Sequence, residues 1–523
     1  EMIATPQDQR RGKLVRRKGL EQLPDGLVLS VLHFSSDPDR GALIFASKAI
    51  ATRLREERET LVAGLFSTDS GDRLRAANRL KSLTDVENAP IGAVVKTAGV
   101  VPRFVEFLNG TERDSDSIGL QFAAINVLGE IAEAGHPDVV VEAGAIPIFC
   151  RLISSAAETP DDPESVEFER RRLLIWALGS IAEDGPTSRE RVFREGVLAT
   201  LFNMLDEDDS DMLGEVTATL NSLCESTLPD DVFDSIRPAL PLLTRLIHCS
   251  PNEEVLIDAC GALGNLATGE REVVEARVHA LMEAETDYCR RLVELMGHPS
   301  PDVRTNVLAA VAGVASGSVA QLRVILDLHV LSDLLPFLTD CETDARGEAC
   351  RVLGHVAASE SVNVQDIIDA NFIPPLVQLL SATEVEIQEE VVWALHAIAQ
   401  RCSIQQIEVL VDAGCVVPLC ELLSDEVYDP SGRSADHLVR LLLTLRRIVL
   451  NDDDETNRTI YSKAGAKIKT LLKHTDIRVR QTAVASRVRI IQVRAQNTVI
   501  RNLLLQVDVL GVPFFRVLSR YES

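Results

Sequence analysis

Two hydrophobic patterns alternate down the chain. One is a long helical pattern in which small residues recur every third or fourth position among aliphatics. It reads LLIWALGSIAED (173–184), VLIDACGALGNLATG (255–269), NVLAAVAGVASG (306–317), GEACRVLGHVAAS (347–359) and EEVVWALHAIAQR (389–401). That spacing predicts helices that approach their neighbours closely while the aliphatics fill a shared core. The other is a small or Gly corner followed by an apolar helix closing on two large apolar residues. It reads TAGVVPRFVEFL (97–108), EAGAIPIFCRLI (142–153), REGVLATLFNML (194–205), DLHVLSDLLPFL (327–338), DANFIPPLVQLL (369–380) and DAGCVVPLCELL (412–423).

The corners keep a register. Gly99, Gly144 and Gly196 stand 45 and 52 residues apart, and His329, Asn371 and Gly414 stand 42 and 43 apart. Weaker copies are expected near Pro238 and Tyr288, and a worn one, KAGAKIKTLLKH, from Lys463. A sharp corner between helices wants a residue able to take positive φ, which Gly does freely and Asn tolerates best among the others. Pro102, Pro147, Pro374 and Pro375 then fall in the first turn of the next helix, where a missing N–H costs nothing. A period of about 42 residues with two or three helices each predicts an all-α fold, a right-handed armadillo-repeat superhelical solenoid of about ten repeats.

Composition narrows the function classes. An apolar content of 46% excludes wholesale disorder, and an aromatic content of 4% speaks against a β-sandwich or barrel. The net charge of −26 repels a phosphate backbone and suits a basic partner, so no nucleic acid is expected. The ten cysteines form no CxxC pair, and Cys415 and Cys420 match no zinc spacing; they read as buried small hydrophobes in a reducing compartment. No apolar run approaches the ~20 residues of a membrane span, so a soluble, intracellular protein is expected. HExxH, GxxxxGK[ST] and GxSxG are all missing, so no catalytic residue, cofactor or metal is expected.

The phrases WALGSIAED (176–184), the segment from Gly347 to Leu380, VVWALHAIA…DAGCVVPLCELL (391–423) and FSTDSGDRLRAANRLKSL…VVKTAGVVPRFVEFL (66–108) resemble the importin-α family. The likeness runs over about residues 60 to 490. It implies an adaptor that carries proteins with basic nuclear localisation signals and works in cytoplasm and nucleus. In that family a Trp and an Asn at i and i+4 face the groove in several repeats. Neighbouring indoles make slots for Lys and Arg stems, and the Asn amide holds the peptide backbone.

Here the ladder is reduced. Its pairs become Asn126 and Glu130, Trp176 and Ser180, Ala218 and Ser222, Gly261 and Asn265, Ala309 and Gly313, Arg351 and His355, and Trp393 and Ala397. Both tryptophans of the chain fall on it, and no repeat keeps a complete pair. Asp184 matches the family's acid for the key lysine of the major site, and Glu348 and Glu390 match acids of the minor site. The peptide-binding residues expected from the resemblance are therefore Trp176, Ser180, Asp184, Glu348, Arg351, Glu390 and Trp393. Weak binding of ordinary signals follows from the missing walls. Arg351 is expected to pair with Glu348 and also to stack on Trp393, occupying a slot from within.

Four segments are expected: a basic tail (1–19), a helical cap (20–58), the solenoid (59–490) and a C-terminal cap (491–523). The tail holds RRGKLVRRK (10–18), which by resemblance would bind importin-β or fold back onto the groove, although it is shorter than the family's Arg-rich helix. LEQLPDGLVLSVLHF…ALIFASKAIATRL (20–54) faintly resembles an F-box, so the competing reading is an armadillo scaffold with a private partner or an F-box-type substrate receptor of a ubiquitin ligase.

Overall fold

The computed structural model describes residues 59–84, 99–110, 114–156, 165–205, 209–225, 230–250, 252–269, 271–339, 343–423, 435–449 and 454–494. Among them the regular elements are all helical. The basic tail, the whole of the 20–58 segment and residues 495–523 lie outside the described residues. The chain divides into two compact units, Glu1–Leu243 and Thr244–Ser523.

In the first unit, α1 (Ser70–Thr84) and α2 (Val100–Leu108) precede the long α3 (Ser115–Glu133). The unit then repeats as short helix, corner, helix, long helix. These are α4 (Pro137–Glu142), α5 (Ala145–Ala156) and α6 (Val166–Glu183), then α7 (Pro186–Arg194), α8 (Leu198–Met204) and α9 (Ser210–Cys224). Each long helix starts where a side chain caps the free N–H groups: Asp114 for α3, Ser165 for α6 and Asp209 for α9. Pro137 and Pro186 open the short helices, as a residue without a backbone donor suits. The long helices pack in a row, α1 on α3, α3 on α6 and α6 on α9. Ile125, Leu128, Ile131, Leu174, Leu178 and Ile181 are fully buried in it.

The second unit repeats the plan. Its long helices are α10 (Glu253–Leu266), α12 (Pro301–Ser316), α15 (Thr343–Ala358), α18 (Val385–Arg401), α21 (Ala435–Ile448) and α23 (Ile477–Arg494), with α11 (Tyr288–Leu295) between the first two. The pairs α13 (Val319–Asp327) and α14 (Val330–Thr339), α16 (Val364–Asp369) and α17 (Ile373–Leu379), and α19 (Ile404–Asp412) and α20 (Val416–Leu422) flank the corners. From α10 onward each long helix packs on the next.

The corners form as the sequence predicts. Gly99, Gly144, Gly196 and Gly414 have φ between 72° and 86°, and His329 and Asn371 take 63° and 61°. A Cβ added at Gly144, Gly196 or Gly414 would meet nothing within 4 Å. The demand at these corners is therefore conformational and not steric, which is why His and Asn can stand in.

Two expectations are corrected. The worn copy at Lys463 makes no corner, because α22 (Asp454–Leu471) runs through Gly465 as one helix. At Tyr288 the preceding Asp287 has φ −95°, so that copy lacks the left-handed turn as well. Pro238 sits in a single 3-10 turn, Arg237–Ala239.

Of the described cysteines all but Cys249 are buried. Burial pushes the thiols of Cys150, Cys260, Cys415 and Cys420 up to about 12 and those of Cys289 and Cys402 to about 11. They act as small hydrophobes, as their scattered spacing predicts.

Candidate functional site

Two groups of the expected residues assemble, one in each unit. In the first unit, Trp176, Ser180, Glu183 and Asp184 share a face of α6, at spacings of four and seven or eight residues. The indole of Trp176 lies over Gly129 of α3, where an added Cβ would stand 2.3 Å from its Cζ3. Among the described residues no guanidinium lies over this ring, and the side chain is half-buried.

The polar ladder positions beside it are turned inward. Ser180 Oγ donates to the Trp176 carbonyl at 3.2 Å, and Ser222 Oγ to that of Ala218 at 3.1 Å. Asn126 Nδ2 likewise donates to the Phe122 carbonyl at 2.8 Å. A serine hydroxyl has one hydrogen, so Ser180 can only accept from an incoming peptide N–H. An asparagine amide would offer a donor as well.

Acids gather at the C-terminal ends of these helices. Glu133 and Glu183 close α3 and α6, Asp184 follows, and Glu225 follows α9. Burial, with Glu133 and Glu225 nearby, pushes the Glu183 carboxyl above its ordinary value, opposed by the Ser222 hydroxyl, whose one hydrogen is shared between Glu183 at 3.4 Å and Ala218. Helix C-termini carry partial negative charge themselves, so acids placed there gain nothing from the dipole and favour an added cation. Asp184 is exposed and accepts from Ser188 Oγ at 3.0 Å. Glu225 is matched by Arg189 at 2.8 Å. One turn before Trp176, Arg172 pairs with Glu169 at 2.9 Å and reaches Glu215 of α9 at 2.7 Å.

In the second unit, Glu348 and Arg351 of α15, Glu390 and Trp393 of α18, and Arg440 of α21 come together. Arg351 is ion-paired with Glu348, as their spacing predicts. The expected stacking of Arg351 on Trp393 is corrected: the guanidinium over that ring is Arg440's, 5.7 Å from the centroid. The Glu348 carboxylate draws Arg351 along its own helix, and the facing position is filled from α21 instead. Trp393 rests on Gly354, where a Cβ would stand 2.5 Å from Cε3 and Cζ3. His355 meets it edge-on, with centroids 4.5 Å apart and planes at 77°.

Burial pushes the Glu390 carboxyl up to about 7, opposed by Arg351 and Arg440 and reinforced by Glu348 and Glu389. Burial, then Arg440, drives His396 down to about 4. Thr444 Oγ1 donates to the Arg440 carbonyl at 2.7 Å, so His396 Nδ1 is the donor in its 3.2 Å contact with that hydroxyl.

Sequence reasoning missed Arg440, Glu183 and the two glycine seats. Arg440 is hidden because it lies 47 residues past Trp393, whereas Trp393 lies 42 past Arg351. The longer stretch before α21 breaks the period. Glycines preceding the second ladder position, Gly129 and Gly354, were legible as a pattern once the ladder was placed.

A family model for the Armadillo/beta-catenin-like repeat matches residues 236–268 and 361–399. Rice importin subunit alpha-1b is 36% identical over 385 residues, 73% of this chain and 68% of that protein. Rice importin subunit alpha-1a is 34% identical over 63% of this chain and 59% of its own length. The crystal structure of an engineered protein superimposes with a TM-score of 0.60 at 25% identity, over 83% of this chain and 98% of the other. The architecture is thus an all-α armadillo solenoid.

Proposed function

The chain belongs to the importin-α family of armadillo-repeat proteins, and we propose that it is a nuclear import adaptor whose basic cargo peptide binds at the Trp176 ladder. The observation that carries this reading is the indole of Trp176, which has no guanidinium over it among the described residues, on the helix that ends in Glu183 and Asp184, with Glu133 and Glu225 acting on Glu183. A lysine stem laid on that ring would extend its ammonium group toward carboxylates that, among the described residues, have no ion-pair partner apart from Glu225. Ser180, bonded to its own helix, would hold the peptide backbone less firmly than an asparagine.

Binding is expected to be weak. Each aromatic anchor contributes ~1–2 kcal/mol, and the neighbouring wall at Ala218 is absent. A single lysine-rich signal should bind at tens of micromolar, about −6 kcal/mol. Shuttling between cytoplasm and nucleus follows from the same role. Importin-β would engage the basic segment 10–18, which lies outside the described residues.

Calorimetric titration of the full chain with a lysine-rich peptide tests the proposal. Trp176→Ala and Asp184→Ala should each weaken binding about tenfold, the share of one anchor. Submicromolar affinity, or affinity indifferent to Trp176, would overturn it.

A further inference from the structure

We infer that the Trp393 site is already occupied by a side chain of this protein, Arg440, so that it takes no basic residue from a cargo peptide. The inference rests on the proposed reading, in which indoles of the ladder receive basic side chains.

A cation binding at Trp393 needs two things, a free ring face and an unanswered negative charge. Neither is available. The ring is backed by Gly354, closed at one edge by His355 and covered by the guanidinium of Arg440. Of the most buried acids, Glu348 is paired with Arg351, and Glu390 feels Arg351 from α15 and Arg440 from α21 at once. Glu348 and Glu390 are thus each answered by a guanidinium, Arg351 from α15 and Arg440 from α21, although Glu389 and Asp344 also act on them.

Trp176 is the contrast within the same chain. It has the same glycine seat but no cation over its face among the described residues, and its helix ends in Glu183 and Asp184, neither of which has an ion-pair partner among the described residues. The two tryptophans therefore differ in what the next helix presents: Ala218 on α9, but Arg440 on α21. Arg440 acts as a specificity-determining residue. It confines basic peptides to one ladder and makes binding monovalent.

The chain has two tryptophans, so Trp176→Phe leaves Trp393 as the only indole reporter. In that variant of the full chain, a lysine-rich peptide should leave the emission of Trp393 unchanged. Adding Arg440→Gln, or Arg440→Ala, should create a peptide-dependent shift and tighten binding about tenfold. A response of Trp393 with Arg440 intact would overturn the inference without any further variant. So would variants at Arg440 that melt normally and gain nothing. Binding by the unaltered chain is measured alongside: if it is absent while the Arg440 variants bind, the proposed function at Trp176 fails and the inference about Arg440 stands.

Discussion

Trp176 lies against Gly129 so closely that a methyl group added to the glycine would stand 2.3 Å from its ring. Trp393 stands on Gly354 in the same way, at 2.5 Å. In each case the glycine immediately precedes the second ladder position of the preceding long helix. The missing Cβ lets the six-membered ring of the indole approach the neighbouring helix at this point.

Replacing Gly129 with Ala should therefore tilt Trp176 off its seat. Alanine gains about 1 kcal/mol in helix propensity, and overpacking costs about 1–3. The net is a destabilisation of about 1 kcal/mol in thermal melts, with a larger loss in peptide affinity. Gly354→Ala should lower stability similarly and leave peptide affinity unchanged, because Arg440 already covers Trp393.

The ladder can be rebuilt where it is thinnest. Ser180→Asn restores an amide donor, and Ala218→Trp adds a second wall beside Trp176. Together they should tighten peptide binding about tenfold or more in calorimetric titration. Gly179 leaves α6 without a Cβ 39 residues before Ala218, the same separation as Gly354 from Trp393. Its nearest neighbour is now Thr219 Oγ1, 2.8 Å from an added Cβ, so the new indole must displace that side chain to settle.

Glu390 predicts a pH dependence of stability. Its folded-state pKa, about 7, lies above the ordinary 4.5, chiefly because of burial. Folding therefore favours the protonated form. The stability this contributes is full below about 4.5 and is lost as pH rises through about 7. Urea midpoints should fall between those values, and Glu390→Gln should flatten the fall and raise the midpoint at pH 8. A steeper fall in the variant would contradict the assignment.

His329 holds a left-handed conformation that costs an L-residue about 1–2 kcal/mol, part of which glycine would give back as chain entropy. His329→Gly should raise the melting temperature by an amount equivalent to roughly 0.5–1 kcal/mol. Asn371→Gly should gain less, since Asn tolerates this region better. Gly144→Ala should lose stability, because its φ of 81° forbids an easy side chain.

The sequence by itself determined the repeat. Corners recur because each needs positive φ, and long helices recur because small residues at helical spacing allow close packing; both are local demands written in local residue types. Arg351 and Glu348 were legible for the same reason, being a turn apart on one helix. Gly465 failed as a corner because a glycine permits a turn without imposing one, and the helix around it continued. Only the tertiary structure decided what stands over each tryptophan. That depends on the register of one helix against the next across a linker of variable length, which put Arg440 over Trp393 and, among the described residues, left Trp176 facing none. It also decided which acids meet, since Glu133, Glu183 and Glu225 come from separate helix ends and act on one another only through packing, with Arg189 answering Glu225 alone.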